Sequence, residues 1–196
     1  MKTKKIFIFL GHPDKETRGG SFMDAYERGA KAAGHEVRRS NIGDLKFDPV
    51  LHLGYKVIQP LEPDLIAVQE NFKWADHIVI LYPSWWSTMP AMLKGFFDRA
   101  WIPGFAFRFK KTGLGAGYLW DKLLAGKSAR VFVTSDSHPL IARWMFGDTT
   151  NEIRKCILGF SGLAVSVKKV GPLKFASEER LTKLRAKFEK WGGKAY

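Results

Sequence analysis

The chain predicts an α/β protein: one domain over residues 1–196, built on a five-stranded parallel sheet with helices on both faces. Three observations carry this. Short apolar runs alternate with segments of helical spacing, clusters of Gly, Pro and Asp punctuate them, and no internal repeat is visible. Such alternation implies a parallel sheet buried on both sides. With right-handed crossovers, five strands favour the order 2-1-3-4-5.

Residues 4–10 (KKIFIFL) read as the first buried strand. The turn formers of GHPDKETRGGSF follow. Ser21 then caps a helix carrying Phe22, Tyr26, Ala30 and Ala33 on one face and ending at Gly34. Residues 35–40 make a weak second strand and 41–62 are irregular, with Asp48-Pro49 and Pro60. Pro63 to Ala75 is helical by the spacing of Leu65, Val68, Phe72 and Ala75. Ile78 to Tyr82 is the third strand, broken at Pro83. Pro90 opens a helix with apolar positions at Met92, Leu93, Phe96, Phe97 and Trp101; proline suits a first helical turn, where its missing N–H is no loss.

Residues 103–128 form a long Gly-rich connection containing Phe105, Phe107 and Phe109; connections of this length are commonly functional. Ala129 to Thr134 is the fourth strand. Helical pattern resumes from Leu140 to Phe160 with an interruption near Gly147. Leu163 to Val170 is the fifth strand, and Ser177 caps a last helix with Leu181, Leu184, Phe188 and Trp191 inward. The single cysteine, Cys156, shares a helical pattern with Ile153, Ile157 and Phe160 and reads as a core residue.

In this strand order the loops after strands 1, 3 and 4 converge at the carboxyl edge of the sheet, where open α/β sheets bind ligands. The loop Pro83–Thr88 sets Trp85 and Trp86 among Ser84, Ser87 and Thr88. Aromatics in a core are the bland alternative, but two adjacent Trp residues in a Pro-bounded loop cannot both point into one core. A ligand platform is the better reading. The three loops suit the parts of a flavin mononucleotide. In the first, a helix N-terminus attracts phosphate, with Ser21, His12 and Arg18 as donors and Gly19-Gly20 permitting close backbone approach. A capped turn with solvated polar residues explains that loop equally well. The second can lay Trp85 and Trp86 beside a flat ring. The third, Thr134-Ser135-Asp136-Ser137, offers N–H and hydroxyl groups to a ring's polar edge, where donors stabilise charge that develops on reduction. Asp136 could orient this loop as readily as contact the ring, and His138 reads as a surface or capping residue.

Composition narrows the classes. The hydrophobic share of 45% is that of a globular domain. One cysteine excludes an intramolecular disulfide and fits a reducing compartment. The five apolar residues Ile6–Leu10 are too few for a signal peptide, so a soluble cytoplasmic protein is expected. Lys and Arg number 32 against 19 Asp and Glu, a formal charge of +13. The excess recurs at Lys2–Lys5, Arg38-Arg39, Lys110-Lys111, Lys168-Lys169 and along the last helix, and reads first as diffuse surface charge. An anionic membrane surface or phosphate-bearing small molecules are further partners such charge could serve. Without zinc-finger spacing or an aromatic RNA-binding signature, no specific nucleic acid is expected and no metal site is assigned.

These residues resemble the NAD(P)H:quinone oxidoreductase family of flavodoxin-like flavoproteins, which includes the ancillary flavoproteins of bacterial potassium-efflux systems. The likeness rests on His12-Pro13 with Ser21-Phe22, on Phe47–Pro49, on Gly159 to Leu163, and above all on YPSWWSTMPAMLKGFFDRAWIPGFAF from Tyr82 to Phe107. It implies a flavodoxin-like three-layer sandwich and a non-covalent flavin, FMN rather than FAD given the chain's length. By resemblance the phosphate sits against His12 and Gly20, Ser21, Phe22 and Met23. The ring contacts Pro83, Ser84, Trp85, Trp86 and Ser87 on one side and Thr134, Ser135, Asp136 and Ser137 on another. The implied reaction is ping-pong: NADPH or NADH gives hydride to the flavin, and a quinone-like acceptor then takes the electrons. Trp86, Phe107 and Phe109 are the implied catalytic, ring-stacking residues. Phe107 and Phe109 commonly come from the partner subunit, so a homodimer is implied. The alternative is a flavin-binding regulatory subunit of a membrane transporter, with peripheral membrane association. Two positions depart from the family: TSDS stands where TTGG is common, and Phe107 and Phe109 stand where some members carry Tyr.

Overall fold

The computed structural model describes residues 2–113 and 116–195. Five parallel strands form the central sheet: β1 (Lys5–Leu10), β2 (Glu36–Asn41), β3 (His77–Pro83), β6 (Ser128–Thr134) and β7 (Ala164–Val170). Their order is β2-β1-β3-β6-β7, the expected 2-1-3-4-5 in the sheet's own numbering. The period-2 geometry of a strand sorts KIFIFL between the two faces. Phe7 and Phe9 join one buried cluster with Ile78, Ile80 and Tyr82, while Ile6, Ile8 and Leu10 join the other with Val79 and Leu81.

Helices α1 (Arg18–Ala32) and α5 (Glu178–Lys194) cover the second face. They touch through glycine: a Cβ on Gly29 would lie 1.9 Å from the Glu189 carbonyl oxygen, and one on Gly192 2.0 Å from that of Tyr26. Side chains there would force the helices apart. Ser177 caps α5 as expected, its side chain accepting from the Arg180 N–H.

Helices α2 (Pro63–Trp74) and α3 (Ala91–Ala100) cover the first face. The irregular segment before α2 is tied down by one buried cation. Arg99 on α3 pairs with Glu62 at 2.9 Å and donates to the carbonyls of Pro60 and Asp48. Burial works to raise the Glu62 pKa, but hydrogen bonds from backbone N–H groups and Arg99 outweigh it and hold the carboxyl below its usual range.

Three expectations are corrected. The helix cap is Thr17, whose side chain accepts from the Gly20 N–H, so α1 starts at Arg18 and Ser21 lies inside its first turn. The 103–128 connection is not featureless: β4 (Phe107–Phe109) pairs antiparallel with β5 (Trp120–Lys122), and Trp120 stacks on Phe160 at 4.1 Å. Cys156 is exposed rather than buried. After α4 (Pro139–Phe146) and a break at Gly147, Glu152–Gly159 winds as a π-helix. Bonding from i to i+5 brings residues five apart onto one face, so Ile153 and Leu158 are the buried pair and Cys156 turns outward. Among the described residues no helix is long and apolar enough to cross a membrane.

Candidate functional site

The loops after β1, β3 and β6 do meet. One cavity of about 270 Å³ is lined by His12, Thr17, Arg18, Gly19, Leu81, Pro83, Thr134, Asp136 and Leu173. A second of about 180 Å³ is lined by Pro83, Ser84, Trp85, Thr134, Ser135, Asp136, Ser137 and Leu173. Shared walls at Pro83, Thr134, Asp136 and Leu173 make them two ends of one trough.

The helix end of the trough presents the N-terminus of α1. With the cap at Thr17, the first N–H groups of α1 belong to Arg18 and Gly19, and such groups have no partner within the helix. The N–H of Gly20 is taken by Thr17 Oγ1 at 3.2 Å, and that of Ser21 by the Thr17 carbonyl at 2.9 Å. Phe22 and Met23 are wholly buried in the core under α1. The N–H groups left without a partner are therefore those of Arg18 and Gly19, one step upstream of Gly20–Met23. Gly20 has a packing role instead: a Cβ there would lie 1.8 Å from the Lys15 carbonyl oxygen, so the preceding loop could not fold down onto the helix. His12 Nδ1 accepts the Asp14 N–H at 2.9 Å, which leaves its Nε2 as a donor. Arg18 lines the same end and donates to the Leu173 carbonyl, joining α1 to the β7–α5 loop.

The Trp85 end of the trough is organised by a strained turn. Trp85 and Thr88 exchange two backbone hydrogen bonds, at 3.0 and 3.1 Å, around a two-residue tip. Trp86 and Ser87 at the tip have φ of 51° and 65°. Positive φ at both central positions defines a type I′ turn, a geometry that favours Asn-Gly. A bulky residue there stores strain, which persists where the surroundings impose it and clusters at functional sites. Trp85 is 44% exposed and meets the His12 ring edge-on at 5.4 Å; Trp86 is 100% exposed. Thr88 Oγ1 donates to Glu152 Oε2 at 2.9 Å, fixing the turn to the π-helix. Beneath it Tyr82 is buried, and burial, with the Glu152 carboxylate adding to it, pushes its phenol well above the usual range.

The third loop is stapled to the last strand. The Ser135 N–H donates to Val170 O and its carbonyl accepts from the Leu173 N–H, both at 3.0 Å. Ser135 Oγ accepts the Ser137 N–H at 3.0 Å, and Thr134 Oγ1 lies 3.5 Å from Tyr82 O. Asp136 borders both ends of the trough. His138 caps α4, as its lone position suggested, accepting the Leu140 N–H.

Phe107 and Phe109 do not join this trough within one chain. They line a separate, larger groove of about 670 Å³ with Tyr55, Phe97, Trp101 and Phe160. Glu152 also lines that groove, so its bond to Thr88 links groove to turn. Sequence reasoning missed Thr17, Leu173 and Glu152. Thr17 carried a signal, being as good a cap former as Ser21; Leu173 and Glu152 reach the site only through tertiary contacts.

Free helix N–H groups and an aromatic turn thus lie at the switch point of a doubly wound sheet, where such sheets bind ligands. A family model described as a flavodoxin-like fold matches residues 4–191, and the chain belongs to that family, Flavodoxin_2. The NAD(P)H dehydrogenase (quinone) 1 of Rattus norvegicus is 26% identical over 130 residues, covering 56% of this chain and 47% of the relative. The chain spans about half the length of the curated relatives it matches. The crystal structure of Smu.1420 from Streptococcus mutans has a TM-score of 0.78 at 26% identity, covering 97% of this chain and 99% of that one. An FMN-dependent NADH-azoreductase from Bacillus anthracis, solved in complex with FMN, has a TM-score of 0.72 at 18% identity, with 98% and 99% covered. At that identity it speaks for the fold alone.

Proposed function

We propose that the chain is a flavin-dependent NAD(P)H oxidoreductase acting on quinone-like acceptors. The observation that carries this reading is the trough itself, which joins free helix N–H groups at Arg18 and Gly19 to the strained Trp85–Thr88 turn. The name of the rat relative supports it. The donor set fits FMN: N–H groups and His12 Nε2 for a phosphate, indole rings for a flat ring system, and the Thr134–Ser137 loop for its polar edge.

Bound FMN would supply two-electron hydride chemistry between NADPH or NADH and the acceptor, in the proposed ping-pong order. The chain's own residues do the rest. Arg18, Gly19 and His12 would hold the phosphate, whose charge the helix dipole would favour. Ser84 N–H bonds to Thr134 O at 2.7 Å and keeps the second and third loops in fixed register beside the ring. Trp85 and Trp86 restrict where a flat donor or acceptor can lie, and such positioning lowers the barrier without a protein acid or base. The groove lined by Phe107 and Phe109 is largely apolar, with Lys94, Asp98 and Glu152 among its walls, which suits a homodimer in which each copy's aromatics close over its partner's trough.

A regulatory flavoprotein would use the same trough, so turnover separates the two readings. The purified chain is expected to carry or take up FMN, to bleach it on addition of NADPH or NADH, and to give parallel double-reciprocal plots with a quinone. Failure to take up either FMN or FAD would sink the proposal, whereas flavin uptake without turnover would favour the regulatory reading.

A further inference from the structure

The open edge of β7 carries two surfaces that the flavin trough does not use. On one side, a groove of about 420 Å³ runs between β7 and α5, walled by Lys168, Lys169, Arg180, Lys187, Lys190 and Lys194. Its remaining walls are Val170, Gly171, Leu184 and Trp191, so no carboxylate enters it. Among the described residues, none of these six cations is in an ion pair, whereas the acids of α5 pair elsewhere: Glu179 with Lys183, Glu178 with Arg185, and Glu189 with Arg28. A solvated lysine face normally alternates with acids. Here like charges are crowded over about 21 Å of helix, from position 180 to 194. Lys168 Nζ sits 5.0 Å from the Trp191 ring, which sets an apolar floor beneath the charges.

On the other side lies α4, whose sequence PLIARWMF is apolar nearly all round. A helix of that kind is ordinarily buried. Instead Leu140, Ile141, Trp144, Met145 and Phe146 are all exposed, Trp144 at 86%. Exposed apolar surface on this scale marks an interaction site. The two surfaces meet. Lys169 lines the basic groove and also a cavity with Leu140, Arg143 and Arg154. The loop preceding α4 is bonded to the β7–α5 loop through Leu173 N–H and Ser135 O. Phe175, two residues beyond Leu173, is 90% exposed.

We propose that this edge docks on an anionic lipid bilayer, with α4 and Phe175 entering the interface and the α5–β7 groove taking lipid phosphates. Basic residues beside exposed Trp, Phe and Leu are what an interfacial helix uses. A nucleic acid would satisfy the cations but has no use for Leu, Ile and Met. A second copy docked through this edge would set the same unpaired lysines against one another. The inference stands apart from the flavin reading, because none of the α4, Phe175 and basic-groove residues that would meet the bilayer lines the trough. If both hold, the docked chain meets lipophilic acceptors where they are dissolved.

The test is co-sedimentation of the full chain with phosphatidylcholine vesicles, with and without phosphatidylglycerol. Two variants accompany it: Lys187→Glu/Lys190→Glu/Lys194→Glu and Trp144→Ser/Phe146→Ser, each checked by circular dichroism and flavin uptake. Wild type is expected to bind only the phosphatidylglycerol vesicles, more weakly as salt rises, and each variant is expected to bind at least tenfold more weakly. Absence of wild-type binding, or binding unchanged in either folded variant, overturns the proposal. Tighter binding to duplex DNA than to vesicles, lost in the charge variant, assigns the groove to nucleic acid instead. Conversion of an oligomer to monomer by the α4 variant in sedimentation velocity makes α4 a subunit interface, which also overturns it.

Discussion

Replacing Trp86 with glycine should separate stability from function. At φ 51° an L-residue occupies the left-handed region, and the Trp86 side chain is fully exposed, so it contributes no packing. Left-handed backbone costs an L-residue about 1–2 kcal/mol. Glycine removes that strain but loses roughly 0.5–1 kcal/mol through the greater freedom of the unfolded chain. The net expectation is a folded state unchanged or stabilised by up to about 1.5 kcal/mol, a rise in Tm of up to roughly 3–6 °C for a chain of this size. The lost ring should cost about 0.5–1.5 kcal/mol of stacking, a roughly 2- to 12-fold rise in the flavin Kd or the acceptor KM. Urea denaturation of the apo-protein and flavin fluorescence titration read the two quantities separately. A loss of more than about 1 kcal/mol of stability would refute the strain argument. Unchanged flavin binding and unchanged acceptor kinetics would refute the stacking role.

Two further outcomes follow from buried and bordering charge. His77 is buried in β3, its Nδ1 against Ser128 Oγ at 2.8 Å, and burial, reinforced by repulsion from Lys4, Arg130 and His35, depresses its pKa to about 4. A depressed pKa contributes stability above the unfolded value of 6.5, and that stability is lost as pH falls towards the folded value. Between pH 7 and pH 5 the loss should be about 2 kcal/mol, and His77→Asn should flatten the pH dependence of the urea midpoint in that window; an unchanged slope would contradict the assignment. Asp136 sets a carboxylate on the trough where the negative charge of reduction is expected, so Asp136→Asn should raise the flavin midpoint potential by about 20–30 mV, near 1 kcal/mol for a two-electron couple. Equilibrium dye titration measures it, and an unchanged or lowered potential would place Asp136 away from the ring.

Much of the architecture was legible because short-range pattern carried it. Period-2 sorting in KIFIFL and in Ile78 to Tyr82 left no exposed face for either strand, and that dictates a sheet covered on both sides. Once the order was 2-1-3-4-5, convergence of the loops after the first, third and fourth strands followed from topology alone. The aromatic loop was legible for a similar reason, since Trp85 and Trp86 cannot share one core and neither is buried in the fold.

The cap of α1 was misplaced by one helical turn because Thr17 and Ser21 are chemically equivalent caps. Local sequence does not choose between them. The choice falls to the close approach of the Lys15 carbonyl to Gly20, which requires the loop to fold down before α1 begins. Cys156 was misread because a 3.6-residue period was assumed where the chain winds as a π-helix.

The sequence by itself determined which residues lie on which strand and at which edge of the sheet, because side-chain alternation and turn chemistry act over a few residues. The tertiary structure alone decided the rest: the Thr17 cap, the inverted backbone of Trp86 and Ser87, the buried Arg99 anchoring residues 48 to 62, and the exposed apolar α4 beside an unpaired basic groove. Each depends on contacts between segments far apart in the chain, and their energies are not written in any local window.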